Sequence, residues 1–195
     1  MRRRTCLAAL GTAGASALAG CGTVRSETAL SSPTVHADSE RRKSLQFAAD
    51  GEEIGSIGAD GAVSDGRIEL STEIWHREGT SVESIELHVW MPPAPEGTPA
   101  EVALASPVQG DSSPPPAVTL STSRDEPGAI IEIDDLDDLA DETISTIDLV
   151  VTPGYDRATA LVIDSTIELD STALLDGGYE LDGQLELEFP ALGQQ

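Results

Sequence analysis

Between Arg67 and Met91 the large apolar residues fall on every second position, in two successive runs. Ile68, Leu70 and Ile74 alternate with Glu69, Ser71, Glu73 and Trp75, with Thr72 keeping the apolar phase. Ile85, Leu87, Val89 and Met91 alternate in the same way with Ser84, Glu86, His88 and Trp90. A period of two turns one face of an extended strand toward a core. No stretch of the chain sustains the 3.6-residue period of an amphipathic helix. β-type segments cover Leu45–Ala49, Arg67–His76, Val82–Met91, Glu101–Ala105, Ala117–Ser121, Ala129–Ile133, Thr143–Thr152, Ala158–Asp170 and Tyr179–Phe189. Asp50-Gly51, Asp60-Gly61, Asp65-Gly66 and Asp176-Gly177-Gly178 supply turn chemistry, as do the prolines of MPPAP and SSPPP.

Many short strands separated by turns predict an all-β chain, an immunoglobulin-like antiparallel β-sandwich of about 7–9 strands. Prolines 92, 93, 114, 115 and 116 confine the region between them to a sheet edge, because proline cannot donate to a central ladder. The best-defined unit reads as a hairpin over Arg67–Met91, with Ile74–Ile85, Thr72–Leu87, Leu70–Val89 and Ile68–Met91 as cross-strand pairs. A one-residue slip would invert both apolar faces. This register sends Trp75, His88 and Trp90 to the polar face of the hairpin. That face is either covered by the second sheet or the 92–116 segment, or it is a ligand surface formed by Trp75, His88 and Trp90.

Other motifs give less. Glu132–Glu142 (EIDDLDDLADE) is rich in acids, but leucines at three-residue spacing interrupt it and it lacks the central glycine of an EF-hand, so it reads as a solvated turn. Gly51–Gly61 (GEEIGSIGADG) matches neither a phosphate loop nor a nucleophile elbow and reads as a flexible loop. No spacing of Ser, His and Asp suggests a triad, so no catalytic residues, metal or cofactor are assigned and no enzymatic activity is expected.

The first 21 residues read as an address. Arg2, Arg3 and Arg4 precede an apolar run, Leu7–Ala19, that is too short for the roughly 20 residues needed to span a bilayer. Arg3-Arg4-Thr5-Cys6-Leu7 resembles a twin-arginine export motif, and Leu18-Ala19-Gly20-Cys21 resembles a lipobox. The resemblance implies cleavage before Cys21 and lipid on its sulfur. The chain then divides into a signal peptide (1–20), a lipidated tether (21–43) and a β-sandwich (44–195). A single acyl chain anchors only marginally, so two chains on Cys21 are expected, or a second membrane contact through Arg41, Arg42 and Lys43.

Composition fits such a setting. The full chain carries 35 acidic and 11 basic residues for a net charge of −24, and loss of Arg2–Arg4 with the signal takes this to −27. Lys43 is the only lysine, and there is no asparagine to accept N-glycosylation. At about 1 M salt the Debye length is about 3 Å, so carboxylate repulsion is largely screened while the acids maintain solubility. With Cys6 removed and Cys21 lipidated, neither a disulfide nor a blue-copper thiolate is available. No basic patch exists to neutralise phosphates, which argues against nucleic acid.

Together these features resemble twin-arginine-exported lipoproteins of halophilic archaea. The resemblance implies a module held by lipid through Cys21 on the outer face of the cytoplasmic membrane. Its expected role is binding or structure in the cell envelope, with an envelope protein as a possible partner. The alternative role is an accessory solute-capture component of a transporter.

Overall fold

A computed structural model describes residues 27–92, 99–106, 117–122, 127–134, 136, 145–154, 158–171, 177–190 and 192. They form two facing six-stranded sheets. Sheet A is ordered β1 (Thr28–Leu30), β12 (Tyr179–Glu188), β11 (Ala160–Ser171), β6 (Thr80–Trp90), β9 (Ala129–Asp134) and β8 (Val118–Ser121). Sheet B is ordered β2 (Thr34–Ala37), β3 (Arg42–Ala49), β4 (Glu52–Ser64), β5 (Arg67–His76), β10 (Ser145–Thr152) and β7 (Glu101–Leu104). This is the sandwich that the alternation requires, with more strands than expected. All the pairings are antiparallel except β1 with β12.

The period-two pattern places the core where the sequence put it. Ile68, Leu70, Thr72 and Ile74 of β5, and Ile85, Leu87 and Val89 of β6 with Met91 beyond it, are all buried. Their arrangement differs from the expected hairpin. β5 pairs with β4 and β10 in sheet B, whereas β6 pairs with β11 and β9 in sheet A. The two runs therefore face one another across the core. Alternation alone cannot separate these cases, because each gives two strands with apolar residues on a shared side.

The connection decides between them. At the corner, Thr80 donates its backbone N–H (3.3 Å) and its hydroxyl (2.8 Å) to the Arg77 carbonyl. Arg77 N–H reaches back to the Ile54 carbonyl at 3.1 Å, and Gly79 sits at a φ of 85°. These bonds carry the chain from one sheet to the other.

Two segments expected to be tether and loop are strands. Residues 28–37, assigned to the tether, supply β1 at the edge of sheet A and β2 at the edge of sheet B, so the sandwich begins before Ser44. Gly51–Gly61, read as a flexible loop, lies almost wholly in β4, the longest strand at 13 residues. Asp60-Gly61 is correspondingly no turn. Its glycine faces the core, where an added Cβ would stand 2.5 Å from Phe189 Cζ. Gly55 likewise yields to Leu181, 2.8 Å from where its Cβ would be. Gly55 and Gly61 of β4 thus make room for Leu181 of β12 and Phe189 just beyond it.

Asp50-Gly51 and Asp65-Gly66 are turns as expected, with both residues of each pair at positive φ. That is the geometry of a tight hairpin turn whose twist matches its strands. Asp176 of the expected Asp176-Gly177-Gly178 turn lies outside the described residues. β7, between the proline clusters, is an edge strand as expected.

Candidate functional site

Trp75 sits on β5 between buried Ile74 and buried His76, so it points away from the core on the outer face of sheet B and is half-buried. The register places Ser56 of β4 beside it. In the next row, Glu73 lies beside Gly58, and Gly58 beside Ser44 of β3. Gly58 leaves the floor open, since a Cβ there would find only Ser44 Cβ at 3.8 Å and the Glu73 carbonyl at 3.9 Å. Small residues on three adjacent strands thus sink the sheet surface next to an indole. The result is a groove of about 570 Å³. Asp60 and Ser71 also line a second depression of about 500 Å³ that continues toward Glu69 and Val150.

The charges in this groove differ in how far they are engaged. Arg42 lies 3.7 Å from Asp38 and 4.0 Å from Asp60, all well exposed, so these pairs contribute little to stability. Lys43 Nζ donates to the Glu186 carbonyl across the sandwich at 2.6 Å. Ser71 donates to Asp148 at 2.8 Å. The side chains of Ser44, Ser56, Glu73 and Trp75 make no hydrogen bond to the described residues.

His88 and Trp90 lie on the opposite side of the molecule, on the outer face of sheet A. Their rings stack with centroids 6.2 Å apart and planes 17° from parallel. Trp90 Nε1 donates to Asp164 Oδ2 at 3.0 Å, and His88 Nδ1 is 3.4 Å from the same oxygen. Gln184 Nε2 donates to Asp164 Oδ1. The other nitrogen of His88, Nε2, is 2.8 Å from the Pro127 carbonyl. Both ring nitrogens of His88, Trp90 Nε1 and both carboxylate oxygens of Asp164 thus have partners within the protein.

The expected ligand surface of Trp75, His88 and Trp90 is therefore divided, because β5 and β6 belong to different sheets. Trp75 opens onto a groove, while His88 and Trp90 close onto Asp164. Sequence reasoning missed Ser44, Ser56 and Gly58, which enter through β3 and β4. The one advance signal for Ser56 and Gly58 was the run of small residues that read as a loop; Ser44 had none.

Cys21, Arg3 and Arg4 lie outside the described residues, as does most of the acidic stretch 132–142. Among the described residues no cluster of three or more His, Cys, Asp or Glu is placed to hold a metal. No helix among them is long and apolar enough to cross a membrane.

Two facing sheets with an open groove on one outer face define the class, an all-β sandwich module. Residues 27–191 match the family described as Domain of unknown function (DUF8121), and the chain belongs to that family. No curated protein matches the sequence.

Among solved structures, the chain is similar to the full-length major pilin SpaD of Corynebacterium diphtheriae, at 8% identity and a TM-score of 0.43. That match covers 63% of this chain and 31% of the pilin, so it spans less than a third of the longer protein. A cohesin module of a family 33 glycoside hydrolase from Clostridium perfringens is 16% identical at a TM-score of 0.41, covering 67% of this chain and 94% of that one. The collagen-binding domain of a Staphylococcus aureus adhesin is 9% identical at 0.37, covering 67% and 95%.

Proposed function

We propose that this protein is a lipid-anchored, non-catalytic module on the outer face of the cytoplasmic membrane that holds an envelope ligand in the sheet B groove. One observation carries the binding role. Trp75, Glu73, Ser44 and Ser56 converge on an open floor with their polar atoms unengaged by the described residues, whereas the polar cluster on the other face is internally satisfied. Concave sites with an aromatic wall and a few polar groups are the ordinary form of ligand pockets. The lipid anchor rests on the lipobox-like Leu18–Cys21 and the short apolar run before it.

The test uses Gly58→Gln, which fills the floor from a position with free space. With Trp90→Phe in both proteins, so that Trp75 is the sole indole, solubilised envelope material should shift the emission of the parent and leave that of the variant unchanged. An equal shift in both proteins would remove the groove from the function.

A further inference from the structure

We infer that the sheet B groove takes a neutral saccharide, a reading that rests on the groove being the binding site. The lining excludes the other ligand classes in turn. An apolar ligand would find one large apolar side chain, Trp75, above a floor of Ser44, Ser56 and Gly58. An anion would meet three carboxylates, Asp38, Asp60 and Glu73, against Arg42 and a Lys43 whose Nζ donates to the Glu186 carbonyl.

A cationic ligand is the closest rival, since an ammonium could sit between the Glu73 carboxylate and the Trp75 ring. That mode depends on charge. The acidic, single-lysine composition fits a protein working in concentrated salt, where the Debye length is about 3 Å and inorganic cations compete for the carboxylate.

A neutral polyol uses contacts that salt leaves in place. The C–H face of a sugar ring buries apolar surface against the half-buried indole. Hydroxyls of the sugar can donate to Glu73, which when ionised only accepts, and can both donate to and accept from Ser44 and Ser56. Trp75 Nε1 adds a donor. The spacing suits a ring lying flat: from Glu73 across Gly58 to Ser44 is two interstrand steps, about 10 Å.

The experiment exploits the two tryptophans of the chain. In the full-length protein carrying Trp90→Phe, Trp75 is the sole indole reporter. The protein is applied to an array of neutral oligosaccharides of hexoses, pentoses and N-acetylhexosamines in about 1 M KCl, and retained sugars are titrated against Trp75 emission. The expected result is retention of at least one sugar, with affinity falling about tenfold or more on Gly58→Gln. Trp75→Ala, followed by calorimetry, should lose at least as much. Glu86→Gln on the outer face of sheet A should leave affinity unchanged.

Retention of no neutral sugar would overturn the inference, as would affinity indifferent to Gly58→Gln. Should oligo-lysine shift Trp75 at about 0.1 M KCl and lose its effect at about 1 M, with Gly58→Gln blocking the shift, the ligand is cationic. The saccharide then fails and the groove stands. If neither sugar, oligo-lysine nor envelope material moves Trp75, both readings fail.

Discussion

Gly61 of β4 abuts the edge of the Phe189 ring, with an imagined Cβ 2.5 Å from Cζ and 2.9 Å from Cε1. Phe189 is fully buried, so it has no free space into which to retreat. Gly61→Ala therefore overpacks the core, at a cost of about 1–3 kcal/mol, visible as a lower urea midpoint. Adding Phe189→Leu should recover part of that loss, because the crowded ring atoms are gone. A Gly61→Ala protein as stable as the parent would show that β4 and β12 do not approach this closely.

This contact also shows what was legible in the sequence. Of the nine expected strands, Arg67–His76 is reproduced residue for residue, because strict alternation bounded by Asp65-Gly66 leaves no freedom. β4 was hidden by its glycines. Composition cannot separate a glycine that bends a turn from one that admits Phe189 or Leu181, since the cause lies about 130 residues away in the chain. The outward phase of Trp75 was legible; its groove was not, because Ser56 and Gly58 belong to that hidden strand. The Arg67–Met91 pairing failed for a symmetric reason, since two alternating runs fit a hairpin and a sandwich corner equally well.

The two tryptophans should respond in opposite ways. Trp90 donates to Asp164 from a part-buried position, so Trp90→Phe removes a hydrogen bond to a charged group and costs about 1.5–3 kcal/mol. Asp164→Asn should cost a comparable amount, because His88 and Gln184 share that carboxylate. Trp75→Phe breaks no hydrogen bond and should leave the unfolding midpoint within about 0.5 kcal/mol of the parent. Equal costs at the two positions would contradict the division of these residues between structure and site.

Glycines at turns and on the outer face should also separate. Gly66 has a φ of 75°, next to Asp65 at 50°, and Gly66→Ala forces a side chain into the left-handed region at a cost of about 1 kcal/mol. Gly58 has ordinary strand geometry and free space above it. Gly58→Ala should be neutral or stabilising by up to about 1 kcal/mol, through lower entropy of the unfolded chain. Chemical denaturation of the two variants side by side makes the comparison.

The charge balance predicts salt dependence. At a net charge of −24, self-repulsion opposes the compact state. Raising KCl from about 0.1 M to about 1 M shortens the Debye length from about 10 Å to about 3 Å. Thermal unfolding followed by circular dichroism should then show Tm rising by about 5 °C or more, equivalent to at least 1–2 kcal/mol for a chain of this size. A flat or falling Tm would sink the high-salt reading.

The proposed lipid on Cys21 can be tested against the basic cluster. Thr28, the first strand residue, pairs with Tyr179 where β12 begins. Arg41 lies over the Phe189 ring at 5.9 Å, and Lys43 binds the Glu186 carbonyl, so the basic cluster sits where β12 ends. The ten residues of β12 put about 30 Å between these two ends. Six residues separate Cys21 from Thr28, a reach of at most about 25 Å, so a lipid on Cys21 would tether the sandwich by its Tyr179 end. Two acyl chains on Cys21 would suffice for stable attachment, without a contact from Arg41, Arg42 and Lys43 at the other end of β12. Cells expressing the combined Arg41→Gln, Arg42→Gln and Lys43→Gln variant should retain it in the membrane fraction, whereas Cys21→Ser should release the folded protein. Release of the triple variant with Cys21 lipidation intact by mass spectrometry would return the basic cluster to the membrane; membrane retention of Cys21→Ser would remove the lipid anchor.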